Sequence, residues 1–442
     1  MRINTRRASL VTHEGARAFH TNVLAQLRRS VLSCLLWESE FYEDGEEIAK
    51  RIAGLTSQCM PEDVAALAVE AREQMHLRHV PLLLLRELAR HPLLKDRPQL
   101  LSKTMARVLQ RADEPAEFLA LYWKDKKEPL SKQVKRGLAW SLRRFSEYEL
   151  AKYSGDSAIT PRDVLFLAHA KPKDEAQATL WKKLAAKELS TPDTWEVQLS
   201  AGADKKETFE RLIREKKLGY FALIRNLRNM EQAGVEVELV REAILARRGG
   251  AEKLLPFRYI AAARYAKQFE PQLDIAMQAA LTELPKLSGK TLVLVDNSGS
   301  MSAQLSRKSD MTRADAAAGV AIVARGICEA VRVFAFSDSC VEVPPRTGMA
   351  LRDAIHSATR MGSTQLGAAV RTVSKLPHDR LIVITDEQSA DRVPEPQGLG
   401  YMINVASNRN GVGYGKWLHV DGWSDAVVRF ISEHESENGV GE

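Results

Sequence analysis

Three oxygen-bearing side chains stand at alternate positions after an apolar run, a spacing that suits the binding of one metal ion. The run, Thr291 to Val295, is apolar and β-branched, as buried parallel strands are, and Asp296, Ser298 and Ser300 follow it. Ligands of open α/β sheets lie beyond the carboxyl ends of the strands. Carboxylate and hydroxyl oxygens suit Mg²⁺ rather than Zn²⁺. The segment therefore predicts a divalent-cation site.

Two later segments complete a known pattern. Thr364 lies on a glycine-bearing loop, and Asp386 ends a second buried-strand run, Leu381 to Thr385. Asp-x-Ser-x-Ser followed by these two residues resembles the metal-ion-dependent adhesion site of von Willebrand factor A domains. The resemblance implies one divalent cation, most simply Mg²⁺, held by Asp296, Ser298, Ser300, Thr364 and Asp386. The alternative is a degenerate site without metal.

Residues 288–442 alternate between strand and helix patterns, which predicts a doubly wound sheet. The predicted strands are Thr291–Val295, Val331–Phe336, Leu381–Thr385 and Gly400–Val405. The predicted helices are Arg313–Glu329, Leu351–Ala358, Leu366–Ser374 and a closing helix at Ser424–Ser432. Leu287 to Lys290 is predicted to be the linker that precedes this domain.

The first part of the chain is predicted to be helical. Residues 1–20 are polar and aperiodic, which indicates an extended arm, and residues 21–287 carry short amphipathic helices separated by Pro and Gly. Such a pattern of short helices is typical of stacked helical repeats. The sequence shows no regular repeat period, and an irregular helical bundle is the alternative.

The positive charge of the chain is concentrated in this helical part. The net charge is +7, and residues 1–287 contain 48 Lys and Arg against 39 Asp and Glu. One surface candidate stands out, and its basic residues are Lys124, Lys126, Lys127, Lys132, Lys135, Arg136, Arg143 and Arg144. They could neutralise phosphates, or they could be solvated helix faces. Trp123 and Trp140, interleaved with them, are more simply core anchors than stacking platforms.

Several segments from both parts of the chain are similar to the Ro autoantigen family, the TROVE-domain proteins, and specifically to its bacterial members. The helical segments are Arg28–Trp37, Phe41–Gly45, Glu73–Pro81, Asp163–Pro172, Leu223–Leu227 and Leu255–Phe257. The segments of the second part are Val295–Met301, Phe334–Asp338 and Val383–Asp386. The chain departs from many relatives at Gln365, where they have Asp after the loop threonine.

The resemblance implies a ring of HEAT-like helical repeats followed by a Rossmann-like von Willebrand factor A domain. It implies that Y-like small noncoding RNA binds the outer face and that single-stranded ends of misfolded RNA bind a central hole. It further implies an exoribonuclease partner that associates through the RNA. Lys152 and His169 match RNA-contacting positions of the family, although His169 could also be a satisfied helix-face histidine. An acidic residue of a protein partner could complete the metal coordination.

Other functional classes are less consistent with the sequence. The expected protein is a non-enzymatic RNA-binding scaffold, and the alternative is a metal-dependent protein-binding adaptor without RNA. A nuclease or phosphatase lacks support because a single ion held largely by hydroxyls is not the carboxylate cage of two-metal chemistry. No run of residues is long and apolar enough to span a bilayer. The four scattered cysteines favour a reducing, cytoplasmic location, and we expect a monomer.

Overall fold

The structure is a computed structural model. It describes residues 23–32, 45–74, 77–155, 157–251, 254, 256–284, 286–306, 309–406 and 415–421, together with Val427, Ile431 and Glu435. The predicted N-terminal arm and most of the predicted closing helix lie outside the described residues. The described residues from 23 to 201 form one compact unit, apart from Gly45 and Glu46, and those from 202 onward belong to a second unit.

The first unit is built from short amphipathic helices. They are α1 (Val23–Leu32), α2 (Gly45–Thr56), α3 (Pro61–Glu73), α4 (His79–Ala89), α5 (Leu100–Val108), α6 (Glu114–Tyr122), α7 (Lys132–Leu142), α8 (Glu147–Lys152), α9 (Pro161–Leu167), α10 (Glu175–Ala186) and α11 (Trp195–Ser200). The four-leucine run of α4 is buried on every side, as its lack of polar residues predicts. Most of the later helices begin at a side-chain cap, such as Ser131 of α7, whose hydroxyl accepts the Val134 N–H.

The second unit begins with more helices and continues into the α/β domain. Its first helices are α12 (Lys205–Arg214), α13 (Tyr220–Arg225), α14 (Leu227–Gln232), α15 (Val237–Ala246), α16 (Pro256–Tyr265) and α17 (Glu270–Thr282). The α/β elements are β1 (Leu287–Asp296), β2 (Gln304–Ser306), β3 (Ser309–Thr312), α18 (Arg313–Ile327), β4 (Cys328–Phe336), β5 (Cys340–Glu342), α19 (Gly348–Ala358), α20 (Leu366–Val373), β6 (Arg380–Thr385), β7 (Leu399–Asn404) and β8 (Leu418–Asp421).

The main sheet has the strand order β5-β4-β1-β6-β7-β8 and is parallel except at β5, which is antiparallel to β4. Leu292 and Leu294 of β1 share a core with α20, while α18 packs against β1, β4 and β6. The helical region followed by an α/β domain is therefore confirmed. The sequence patterns did not reveal the edge strands β5 and β8 or the β2–β3 hairpin, because these pieces are too short to show a period.

The predicted linker at 287–290 is wrong, because these residues are the start of β1. Leu287 pairs with Cys328, and the Lys290 N–H donates to Asp379 Oδ2 at 2.6 Å. Gly289, with φ +82°, lies where the β1–β4 register shifts. In a sequence, glycine often marks a turn or a linker. Here its positive φ accommodates the register shift, and the strand continues beyond it.

Candidate metal centre and basic surface

Asp296, at the end of β1, is held in place by hydrogen bonds from its neighbours. The Ser298 N–H donates to its Oδ1 at 2.9 Å, and the Thr385 hydroxyl donates to its Oδ2 at 2.6 Å. Ser298 and Ser300 have hydroxyl oxygens 3.3 Å apart. The alternate spacing therefore places the two serine hydroxyls next to each other.

Thr364 lies on the adjacent loop and is completely buried. Its hydroxyl has no hydrogen-bond partner among the described residues. The Gly299 N–H donates to the Gly362 carbonyl at 3.0 Å, which joins this loop to the segment of Ser298 and Ser300. A buried hydroxyl without a partner is costly, and a bound cation would give its oxygen a ligand role.

Asp386, at the end of β6, brings a second carboxylate to the same place. It is fully buried and accepts the Gln388 N–H at 3.2 Å. Burial raises the pKa of Asp386, and the nearby Arg313 opposes that shift. The pKa of Asp296 is likewise raised by burial and by the charge of Asp386, so the two carboxylates repel each other.

The donor set fits one divalent cation. Two close carboxylates gain from a cation between them, and hydroxyl oxygens are ligands that Mg²⁺ accepts. Within the described ranges, no three His, Cys, Asp or Glu residues cluster with metal-binding geometry, so a cation here would need oxygen ligands besides the two carboxylates.

Sequence reasoning missed Arg313, which lies inside this site. It opens α18, is 1% exposed, and its guanidinium is 3.4 Å from Asp386 Oδ2. The sequence signal for this role was the position of Arg313 at the start of an alanine-rich helix. A lone arginine in an apolar helix is either exposed or, if buried, paired with an acid. A second buried pair adjoins the site: His419 Nδ1 lies 2.8 Å from Glu387 Oε1.

The helix α7 has a basic face and an apolar face. The basic face of α7 consists of Lys132, Lys135 and Arg136 together with Arg143, the residue that caps its C-terminal end. Offsets of three, four and eleven residues from Lys132 place these side chains on one side of a helix. On the other side, Val134 and Leu138 are fully buried. The helical periodicity therefore places part of the predicted basic cluster on one side of α7, where it forms a continuous surface.

The remaining predicted RNA contacts are spread around this helix. Lys124, Lys126, Lys127 and Arg144 are exposed near its ends. Lys127 Nζ lies 5.4 Å from the ring centroid of Trp123, and the Arg136 guanidinium lies 5.9 Å from that of Trp140. Both tryptophans are half-buried, and Trp123 packs against the core of the first unit.

His169 is not on a helix face. It follows the end of α9, is exposed, and has φ +49°, the left-handed conformation that terminates helices. Arg143 donates to the Lys171 carbonyl at 3.2 Å, so the loop after α9 adjoins the basic face of α7. Lys152 lies on α8 instead, and its Nζ is 3.8 Å from Glu196 Oε1.

Comparisons with known proteins agree with this architecture. Residues 182–308 match the model of the TROVE domain, and residues 291–388 match the von Willebrand factor type A domain. The crystal structure of the Deinococcus radiodurans RO (RSR) protein superposes with a TM-score of 0.60 at 17% identity. The match covers 92% of this chain and 99% of that one.

Fold and domain content define the class: a TROVE domain joined to a von Willebrand factor type A domain. Matches to both domains occur in the order that the motifs predicted, and the fold is similar to that of a bacterial Ro protein. The basic cluster at 124–144, Lys152 and His169 precede the segment matched by the TROVE model, so their roles stay predictions. No helix among the described residues is long and apolar enough to cross a membrane.

Proposed function

We propose that this protein is a non-enzymatic, cytoplasmic RNA-binding scaffold that takes part in RNA quality control or decay. The observation that carries the proposal is the basic face of α7, four cationic side chains along roughly 16 Å of helix. Phosphates along one nucleic-acid strand are spaced a few ångströms apart, so such a row can contact several of them. The ligand would be a structured small noncoding RNA of the Y-like kind.

Lys124, Lys126, Lys127, Arg144, Lys152 and His169 are proposed to extend this contact. Charge of this kind positions RNA without reading its sequence, so specificity would come from RNA shape. An exoribonuclease that associates through the RNA would then be the effector. The protein itself would act as a monomer.

Co-purification of RNA tests the proposal. Protein recovered from its native cells is expected to carry an enriched structured RNA, identified by sequencing, and Lys132→Glu/Lys135→Glu should lose it. Lys205→Glu/Lys206→Glu makes the same charge change on exposed residues of α12 and should keep it. Equal RNA recovery from both variants would show that the basic face of α7 is not the binding surface.

A second surface is suited to the single-stranded ends of misfolded RNA. We define the aromatic–arginine face by Phe221, Arg225, Arg228, Arg258 and Tyr265, all of which are exposed. Arg258 lies 5.4 Å from the ring centroid of Phe221, and Arg228 lies 5.2 Å from that of Tyr265. Exposed rings and guanidinium planes both stack on unpaired bases, whereas paired bases are already stacked inside a duplex.

The two ring–arginine contacts lie about two helical turns apart. Phe221 and Arg228 are seven positions apart, and so are their partners Arg258 and Tyr265, so α13–α14 runs parallel to α16. Seven residues span roughly 10 Å, room for about three stacked nucleotides. Arg258 is exposed as a whole residue, yet partial desolvation of its guanidinium and the charge of Arg225 lower its pKa, so an RNA phosphate near both guanidinium groups would relieve their repulsion.

Binding of a fluorescent single-stranded oligonucleotide tests this surface. Phe221→Ala and Tyr265→Ala should each weaken binding by roughly tenfold, whereas Tyr265→Phe should retain it. Ile275→Ala, which removes another exposed apolar side chain of the same unit, is the matched control. Unchanged affinity in both alanine variants would exclude stacking on these rings.

The metal site supports a second candidate function, a protein-binding adaptor without RNA. Asp296, Ser298, Ser300, Thr364 and Asp386 would hold the cation, most simply Mg²⁺. The cation would supply a Lewis-acidic position for an acidic residue of a partner. This function is favoured over the scaffold if folded native protein carries no enriched RNA.

A further inference from the structure

The metal site contains a positive charge that belongs to the chain itself. Arg313 is among the largest fully buried side chains of the described residues, and its guanidinium lies 3.4 Å from Asp386 Oδ2. Asp386 is one of the two carboxylates that the proposed cation would need. A buried arginine at this position therefore acts on the same negative charge as the metal.

The backbone fixes Arg313 at this place. Its N–H donates to the Ala303 carbonyl at 3.0 Å, which joins the start of α18 to the end of the serine segment. Thr312 and Asp315 close a capping box around the same first turn. The main chain of Arg313 is thus held on both sides, and burial of its side chain restricts movement away from Asp386.

The guanidinium of Arg313 partly neutralises the charge of the two buried carboxylates. When both are ionised, Asp296 and Asp386 place two negative charges in a buried position, which is costly. Arg313 reduces the net charge of the set from −2 to −1 in the absence of metal. A divalent cation then meets both a weaker attraction and the repulsion of a nearby guanidinium.

The two oxygens of Asp386 are already used differently. Oδ1 accepts the Gln388 N–H at 3.2 Å, while Oδ2 faces Arg313. A cation that binds Asp386 through Oδ2 must share that oxygen with the guanidinium or displace it. Arg313 and a cation bound at Oδ2 would therefore compete for that oxygen.

We propose that Arg313 is a built-in counter-ion of the metal site, which keeps the domain folded without metal and sets a weak affinity for divalent cations. The site would then respond to changes in free cation concentration instead of holding its ion permanently. Binding of the cation would shift Arg313 from Asp386 and pass the change to the first turn of α18.

Calorimetric titration of the full chain with Mn²⁺ and with Mg²⁺ tests the proposal. Arg313→Met and Arg313→Gln are expected to bind either ion at least about tenfold more tightly than the wild type, because the competing charge is gone. Their melting temperature in EDTA should fall, and saturating Mn²⁺ should restore most of the decrease. Melting temperature is measured by circular dichroism and does not depend on any RNA-binding activity.

Arg332→Met is the matched control, since it removes an arginine from an exposed ion pair with Glu342 in the same domain. It should leave ion affinity unchanged. The proposal rests on the metal site, and the outcomes separate the two ideas. A wild-type chain and Arg313 variants that all bind no Mn²⁺ would refute the site itself. Variants that bind Mn²⁺ with wild-type affinity would refute the role of Arg313 while leaving the site standing.

Discussion

Buried charge dominates the chemistry at the scale of single residues. Asp296 and Asp386 come from different strands, yet each raises the electrostatic cost of the other, and both are almost completely removed from water. The hydroxyls of Ser298 and Ser300 lie 3.3 Å apart just after Asp296, and the oxygen of Thr364 is buried on the adjoining loop. Removal of one carboxylate should therefore affect metal binding and metal-free stability in opposite directions.

Asp296→Asn is the residue-scale prediction. The variant should lose the rise in melting temperature that Mg²⁺ or Mn²⁺ gives the wild type, which corresponds to about 2.7 kcal/mol at a hundredfold excess over Kd. In EDTA it should be as stable as the wild type or more stable, because the repulsion with Asp386 disappears. Ser302→Ala, at an exposed neighbour, should keep the metal response. An intact metal response in Asp296→Asn would remove this residue from the ligand set.

Single side chains join neighbouring elements of the second unit. Asp315 accepts hydrogen bonds from Thr312 in the first turn of α18 and is also 2.7 Å from Arg264 of α16. Arg380 of β6 donates to the Ser288 carbonyl of β1 at 2.7 Å and to Glu435 Oε1 at 2.7 Å. Each of these side chains bonds to more than one secondary-structure element, so its removal should break more than one interaction.

Asp315→Ala should lower the free energy of unfolding by about 2 to 4 kcal/mol, because it removes a cap and leaves polar groups of the helix start without partners. Arg264→Ala should cost about 1 kcal/mol or less, because Arg264 is partly exposed and keeps contact with water. Urea denaturation of both variants measures the difference. Equal destabilisation would mean that the capping hydrogen bonds contribute little.

Glu435→Ala should destabilise the chain by about 3 to 5 kcal/mol, because it leaves the buried guanidinium of Arg380 without its carboxylate. Glu342→Ala, which breaks the exposed pair with Arg332, should cost at most about 1 kcal/mol. Thermal and urea unfolding of the two variants are compared side by side. A destabilisation at Glu435 as small as that at Glu342 would show that Arg380 finds other partners.

Charge is distributed unevenly over the whole molecule. The excess of Lys and Arg lies in residues 1–287, while residues 288–442 contain 16 Lys and Arg against 18 Asp and Glu. Binding to a polyanion is therefore expected to involve the helical part and to depend on salt, because neutralising each phosphate releases counterions.

The slope of log affinity for a structured RNA against log salt concentration should fall in magnitude by about 2 in Lys132→Ala/Lys135→Ala, because each substitution removes one lysine–phosphate interaction. Lys205→Ala/Lys206→Ala should keep the wild-type slope. Fluorescence anisotropy over a range of salt concentrations gives both values. A slope that does not change in the first variant would place these lysines away from the RNA.

The sequence alone determined the features that local pattern controls. A β-branched run that ends in an acid predicts a buried strand and its functional end, so β1, β6 and their terminal carboxylates could be found without a structure. The spacing of Leu and Lys likewise predicts helices and their two faces, because side chains three and four residues apart share a side. Motif order added the resemblance to the Ro family and the loop threonine.

Only the tertiary structure decided how distant segments meet. No periodicity reveals that Arg313 lies on Asp386, that Phe221 and Arg258 form one surface, or that His169 adopts a left-handed conformation. The first two features depend on packing between segments far apart in the chain, which also sets the free energy of a buried charge, whereas the conformation of His169 is a local helix end that the sequence pattern did not reveal. Local propensity therefore determined the elements and the site motif, and packing determined the charge balance inside the site.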